Sequence, residues 1–148
     1  MGNFPRIKFK FACGASAIRA VRMKFERKSW KQLKETNIIK ELGSDDDGYT
    51  NRHQMIIYLK RYGYQALQRR KMSEDFVRRT LENKAVIIAG FLNHWNVLFA
   101  ISDNDIVTYY DGTGEHQHIT LKALLMLWID KCCLTGEPLD RYGVVVKK

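Results

Sequence analysis

The sequence predicts an α+β fold in which N-terminal helices pack on a C-terminal antiparallel sheet. In the first half of the chain, apolar residues recur three and four positions apart, as they do on one face of a helix. In the second half, short apolar or alternating runs are separated by turn residues, which is typical of strands. Helices and strands do not alternate along the chain, and this order argues against a parallel sheet of βαβ units.

Three helices are predicted before the sheet. The first covers residues 13–26, whose apolar face consists of Ala15, Ile18, Val21 and Phe25. The second runs over residues 30–42 and stops at Gly43. The third is capped by Thr50, continues to Tyr62 and ends at Gly63, and its inner face is formed by Met55, Ile56, Leu59 and Tyr62.

The rest of the chain is predicted to consist mainly of strands. "YQALQ" is a short strand, and Ser73 opens a helix that carries Phe76, Val77 and Leu81. Three strands follow in "AVIIAGF", "WNVLFAI" and "DIVTYYD", the last two joined by a hairpin turn at "SDND". Thr120 caps a final helix with Leu121, Leu124, Leu125 and Trp128 facing inward, and "YGVVVKK" is a closing strand.

Length and composition predict one domain over residues 1–148, located in the cytoplasm. The chain has 148 residues, 45% of them apolar, which is enough for one core. Its longest apolar runs fall well short of the roughly 20 residues that a membrane span needs. The cysteines are odd in number, Cys13, Cys132 and Cys133, and a reducing compartment fits them better than a disulfide framework does.

Positive charge is concentrated at the start of the chain. The first 40 residues hold 11 Lys and Arg against two acidic residues, whereas the remaining 108 residues are balanced at 14 and 14. This asymmetry suggests an anionic partner, which could be nucleic acid, an acidic protein or a phospholipid surface. Arg19, Arg22 and Lys28 are the predicted basic face for that partner, and a solvated helix face is the alternative.

Cys13 stands where the first helix is predicted to begin. The helix dipole and the unpaired N–H groups of a first turn favour a thiolate, so a cysteine there becomes a usable nucleophile near neutral pH. Gly14 allows another backbone or a substrate to approach closely, and the N–H of Cys13 itself could help to hold an oxyanion. Because free cysteine is also among the most buried residue types, a core thiol is the alternative.

A base and an orienting acid are available for such a nucleophile. His94 lies just before the core of a predicted strand, and Asp111 lies at the far end of the next strand. If "SDND" is a hairpin turn, the first residue of one strand and the last of its partner are neighbours. His94 and Asp111 would then complete a Cys–His–Asp arrangement with Cys13.

These motifs resemble the papain-like C39 and C39-like cysteine peptidases over nearly the whole chain. The resemblance rests on a Cys-Gly helix start, a middle segment "DDDGYTNRHQMIIYLKRYGYQAL" and the strand pair "HWNVLFAISDNDIVTYYDGTG". It implies a papain-like fold with Cys13 as nucleophile, His94 as general base and Asp111 as orienting acid. It also implies a peptide or protein substrate. An acidic substrate would suit the basic N-terminal region.

The sequence departs from that family at the oxyanion hole. The family usually has a Gln several residues before the cysteine, whereas "NFPRIKFKFA" contains none, and Gly112 replaces a proline that often follows the acid. Asn3 and Lys8 are the candidate replacements for the missing donor. Loss of one oxyanion donor typically costs about a hundredfold to a thousandfold in rate.

Two functions therefore remain open. The first is a cysteine amide hydrolase, which would be a peptidase or a deamidase of side-chain amides, and it needs no cofactor. The second is a weakly active or inactive binding module that holds nucleic acid or an acidic protein. No metal site is predicted, because adjacent Cys132 and Cys133 with His116 and His118 lack zinc-ligand spacing, and the acidic run at residues 45–47 lacks the pattern of a calcium loop.

Overall fold

A computed structural model describes residues 13–43, 52–91, 94–112, 115–131 and 138–148, without the side chains of residues 13, 129–131 and 138–140. It confirms the α+β class. The helices in these ranges are α1 (Cys13–Glu26), α2 (Glu35–Leu42), α3 (Arg52–Arg61), α4 (Glu74–Glu82) and α5 (Leu121–Leu127). The strands are β1 (Gln65–Arg69), β2 (Val86–Phe91), β3 (His94–Ile101), β4 (Ile106–Tyr110), β5 (His116–Thr120), β6 (Ile129–Lys131), β7 (Pro138–Asp140) and β8 (Gly143–Lys147).

Six of these strands form one sheet in the order β1-β8-β2-β3-β4-β5, and every neighbouring pair is antiparallel. The closing strand β8 lies inside the sheet, between β1 and β2. Its first residue, Gly143, lies so close to the main-chain carbonyl of Ile88 that a Cβ atom would collide with that oxygen. This position therefore requires glycine for close approach of two backbones.

Helices cover both faces of the sheet. On one face α1, α2 and α3 pack against alternate residues of the strands, such as Ile88, Val97 and Val144. On the other face α4 and α5 pack against Ile87, Leu98 and Val107. Because side chains alternate across a strand, central strands with helices on both sides are apolar throughout, and all six residues of β2 are buried.

Local signals placed most boundaries correctly. The Ser73 hydroxyl accepts from the Phe76 N–H at the start of α4, and the Thr120 hydroxyl accepts from the Ala123 N–H at the start of α5. Gly43 ends α2 in the left-handed conformation, with φ of 73°. The predicted cap Thr50 and the acidic run at residues 45–47 lie outside the described residues.

Three differences separate the prediction from the structure. The second helix begins at Glu35 rather than at residue 30, because residues 29–32 form a turn in which the Gln32 N–H donates to the Ser29 carbonyl. The sequence does not predict strand β5, because HQHIT is polar and suits a half-exposed edge strand. The short strands β6 and β7 were also not predicted. No helix in the described ranges is long and apolar enough to cross a bilayer.

Candidate active site

Two hydrogen bonds fix the direction of α1 along the sheet. The Ser16 hydroxyl bonds to the Tyr110 hydroxyl at 2.9 Å, and the Lys24 ammonium donates to the Phe99 carbonyl at 3.2 Å. In the register of β3 and β4, Tyr110 lies opposite Val97, two residues nearer the start of β3 than Phe99 is. Helix α1 therefore begins near the end of the sheet at which β3 starts and β4 finishes.

His94 and Asp111 both lie at that end of the sheet. His94 is the half-buried first residue of β3, and Asp111 directly follows the last residue of β4. The His94 Nε2 atom makes a short hydrogen-bonding contact with the main-chain carbonyl oxygen of Asp111. The structure thus brings together the two residues that the hairpin argument paired.

The partner of Nε2 determines which ring nitrogen of His94 can act as a base. A carbonyl oxygen only accepts hydrogen bonds, so Nε2 must donate. In the neutral ring the other nitrogen, Nδ1, then carries the lone pair that can take a proton. This contact uses the main chain of Asp111, and an orienting role for its carboxylate stays a prediction.

Asn96 supports the start of β3 from inside the protein. Its side chain is buried, and its Nδ2 donates to the carbonyl of Phe91 at 3.2 Å and to the carbonyl of His94 at 3.1 Å. The amide thus joins the end of β2 to the beginning of β3. Sequence reasoning missed this residue, although a polar amide within the apolar run "WNVLFAI" is a signal, because buried polar groups need partners.

The bond between Ser16 and Tyr110 joins α1 to β4, and it too was missed. Both residues are buried, with 3% and 2% of their surfaces exposed. Burial raises the pKa of the Tyr110 phenol, so the hydroxyl stays protonated and available for hydrogen bonding near neutral pH. Ser16 lies three residues after Cys13, and Tyr110 directly precedes Asp111, so this bond connects the segments that carry two predicted site residues.

The predicted basic face is wrong at two of its three residues. Arg19 and Arg22 are buried, with 4% and 7% of their surfaces exposed. Arg19 donates to the Leu33 carbonyl at 2.7 Å and lies 3.8 Å from the Glu35 carboxylate. Burial, opposed by the charge of Glu35, lowers the pKa of the Arg19 guanidinium.

The positive charge of Arg22 is balanced by a carboxylate of the same helix, α1. It donates to both carboxylate oxygens of Glu26, at 2.7 and 3.0 Å, and to the Tyr58 hydroxyl at 2.8 Å. The hydrogen bond with Glu26 raises the pKa of the guanidinium. Lys28 alone of the three is on the surface, with its side chain 45% exposed. The prediction failed because α2 and α3 cover the side of α1 that faces away from the sheet, so its polar stripe is buried too.

Several predicted site residues lie outside the described part of the chain. These are the oxyanion candidates Asn3 and Lys8, together with the side chain of Cys13, whose backbone begins α1. Cys132 and Cys133 also lie outside it. In the described ranges no three His, Cys, Asp or Glu side chains are grouped as metal ligands.

Comparison with solved structures identifies the fold. The chain resembles a double glycine motif protease from an AMS/PCAT transporter, solved in complex with the leader peptide, with a TM-score of 0.66 at 16% identity over 99% of this chain and 94% of that one. It resembles the peptidase domain of Streptococcus ComA with a TM-score of 0.66 at 13% identity, covering 98% and 96% of the two chains. A C39-like peptidase domain of a Vibrio parahaemolyticus toxin secretion protein gives a TM-score of 0.52 at 17% identity, covering 94% and 98%.

Sequence comparison adds no closer relative, since the chain matches no protein-family model and no curated protein. At these identities, the structural similarity is evidence about the fold. The chain therefore has the α+β fold of the C39 cysteine peptidase domains.

Proposed function

We propose that this protein is a cysteine amide hydrolase in which Cys13 is the nucleophile, His94 the general base and Asp111 the group that orients the imidazole. The observation that carries the proposal is the contact of His94 Nε2 with the main-chain carbonyl of Asp111, at the end of the sheet near which α1 begins with Cys13. The fold shared with C39 peptidase domains supports it.

Each group has a defined task in this reaction. Nδ1 of His94 takes the proton of the Cys13 thiol, and the thiolate, favoured by its position in the first turn of α1, attacks the amide carbonyl carbon. The protonated ring then donates to the leaving nitrogen as the carbon–nitrogen bond breaks, which leaves a thioester. The same nitrogen then takes a proton from water, which attacks the thioester carbon. The carbon–sulfur bond breaks, the carboxylic acid product leaves, and the ring returns the proton to the sulfur of Cys13.

A peptide is the substrate that the comparisons support, because one similar protease was solved with a leader peptide. The same steps would remove ammonia from a side-chain amide, so deamidation of a protein is the closest variant of the reaction. Cleavage releases two peptides, whereas deamidation adds about 1 Da and leaves the chain intact, so mass spectrometry distinguishes them.

The nucleophile assignment predicts selective alkylation. A thiolate at a helix start beside His94 should react with iodoacetamide at mildly acidic pH well before Cys132 and Cys133. Peptide mapping by mass spectrometry after a short exposure measures the three rates within one sample. His94→Ala should remove the advantage of Cys13, and equal labelling of all three cysteines in the parent protein would contradict the assignment.

Turnover tests the division of roles. With peptides that contain a double-glycine motif as substrates, Cys13→Ala and His94→Ala should abolish cleavage, whereas Asp111→Asn should leave a residual rate. All three variants must unfold within a few degrees of the parent for the comparison to be valid. Cleavage that survives Cys13→Ala unchanged would refute the proposal and leave the C39-like fold without its chemistry.

A binding module without catalysis is the second candidate. It is favoured by the absence of Gln from the 12 residues that precede Cys13, because a donor to the oxyanion is then missing at its usual place. Under this alternative, Cys13 would show no labelling advantage and no peptide would be cleaved. The buried Arg19 and Arg22 cannot form its binding face, so its anionic partner would need other residues.

A further inference from the structure

The segment between α1 and α2 carries a dense cluster of exposed cations. Residues 27–34 have the sequence RKSWKQLK, which contains four basic residues and no acidic one. All four, Arg27, Lys28, Lys31 and Lys34, are exposed. We refer to residues 27–34 as the basic connection.

The carboxylates that flank the basic connection are already engaged by buried arginines. Glu26 precedes it with a side chain only 12% exposed, and accepts two hydrogen bonds from Arg22. Glu35 follows it, is 2% exposed and lies beside Arg19. Lys28 also contacts Glu26, at 3.4 Å. Because the arginines balance these two acids, the surface of the basic connection is strongly positive.

The basic connection also offers an aromatic side chain and a concave site. Trp30 is 40% exposed, and the Lys31 ammonium lies 5.8 Å from its ring centre. A cavity of about 280 Å³ is lined by Arg19, Trp30, Lys31, Lys34, Glu35 and Thr36. A ligand would therefore meet an apolar wall beside lysines that attract negative charge.

We propose that the basic connection docks an acidic segment of a peptide, whose carboxylates pair with Lys28, Lys31 and Lys34 while an adjoining side chain packs against Trp30. The choice of a peptide rests on the proposed function. Arg19, in the wall of the cavity, lies six residues along α1 from Cys13, or about 9 Å at 1.5 Å per residue. Because this figure is the rise along the helix axis alone, at least about three extended residues separate the acidic segment from the bond that is attacked.

The observations favour a peptide over the other anionic partners. Proteins that bind single-stranded nucleic acid stack successive bases on several aromatic residues, whereas the basic connection has one. A bilayer surface is flat on this scale, and it would leave the cavity empty. On a flexible chain, carboxylates pair with the lysines while a neighbouring side chain enters the cavity beside Trp30.

Binding tests the proposal separately from catalysis. The protein used for binding carries Cys13→Ala, so that no probe is cleaved. The probe is a fluorescein-labelled peptide of four Glu-Ser-Gly repeats. A peptide of four Gln-Ser-Gly repeats is the matched neutral probe. Fluorescence anisotropy should show that the Glu probe binds and the Gln probe does not. The affinity for the Glu probe should fall steeply between about 0.05 M and about 1 M salt. Replacing Lys28, Lys31 and Lys34 together by Gln should weaken it about tenfold or more.

A control triple variant removes the same charge elsewhere. Lys60, Lys122 and Lys147 are exposed on α3, α5 and β8, and their replacement by Gln should change affinity less than about twofold. Equal affinity of the two triple variants would overturn the proposal. Tighter binding of oligo(dT) or of phosphatidylserine vesicles than of the Glu probe would overturn the choice of a peptide. Docking without any turnover by the parent protein would count against the proposed function alone.

Discussion

The carboxylate of Glu26 should make the protein sensitive to acid. Glu26 ends α1, and its two oxygens accept from Arg22 at 2.7 and 3.0 Å while the Tyr64 hydroxyl donates to one of them at 2.7 Å. The hydrogen bond from Arg22, opposed in part by burial, lowers the pKa of Glu26 from 4.5 to about 2. Through Tyr64 the carboxylate ties the last turn of α1 to the residue that precedes β1, and Arg22 links the same helix to α3 through Tyr58.

The size and sign of the effect follow from this shift. A fall from 4.5 to about 2 corresponds to about 3 kcal/mol of folding free energy, at 1.36 kcal/mol for each unit. Because the pKa is lower in the folded state, this stabilisation is complete above pH 4.5 and is lost as the pH falls through about 2. Glu26→Gln cannot titrate there, and it leaves Arg22 buried without its counter-charge, which should cost about 3 kcal/mol near neutral pH.

Urea unfolding followed by far-UV circular dichroism, repeated from about pH 6 to about pH 2, measures both effects. The parent should lose about 3 kcal/mol more than Glu26→Gln over that range, so the two stability curves converge in acid. Glu82→Gln, at an exposed position at the end of α4, is the matched control and should follow the parent. Parallel curves for the parent and Glu26→Gln would refute the ion pair as a source of stability.

Three further substitutions test the packing around the site. Tyr110→Phe leaves the buried Ser16 hydroxyl without its partner, and should lower the free energy of unfolding by about 1 to 2 kcal/mol and slow Cys13 alkylation, both measured against the parent. Asn96→Ala removes two hydrogen bonds at the start of β3, and should cost about 2 kcal/mol in urea unfolding and reduce turnover more than Tyr110→Phe does. Gly143→Ala forces a Cβ against the Ile88 carbonyl, and should cost about 1 to 3 kcal/mol, seen as a lower Tm without loss of cysteine selectivity. An unchanged free energy of unfolding for Tyr110→Phe or Asn96→Ala would mean that the lost hydrogen bonds contribute nothing to stability, and an unchanged Tm for Gly143→Ala would mean that this position does not require glycine.

Signals that depend on neighbours along the chain were readable from the sequence. Helix α1 has the predicted bounds, residues 13–26, because apolar spacing and helix geometry share one period. The sequence predicts Ser73 and Thr120 as caps, because a capping hydroxyl bonds an N–H only three residues away. The order of Cys13, His94 and Asp111 along the chain was likewise visible, since it needs no knowledge of distance.

Features that depend on distant segments required the tertiary structure. The sequence does not determine that β8 pairs with both β1 and β2, because strand order is decided by competition among all the strands. Strand β5 is held by pairing with β4 rather than by its own polar sequence. Whether a charged side chain is exposed also depends on distant segments. The sequence pattern predicts a surface face for Arg19 and Arg22, but α2 and α3 cover α1 and bury both residues.

Some features of the candidate site also follow from the sequence, and others depend on the tertiary structure. Its residue types followed from the sequence, because a thiol at a helix start and a histidine at a strand start have local signatures. The register of β3 and β4 determines which atom of Asp111 contacts the His94 ring. The bond between Ser16 and Tyr110, which are 94 residues apart, fixes the direction of α1. Contacts of that separation form only when the whole sheet and its helices pack together, so no local pattern in the sequence encodes them.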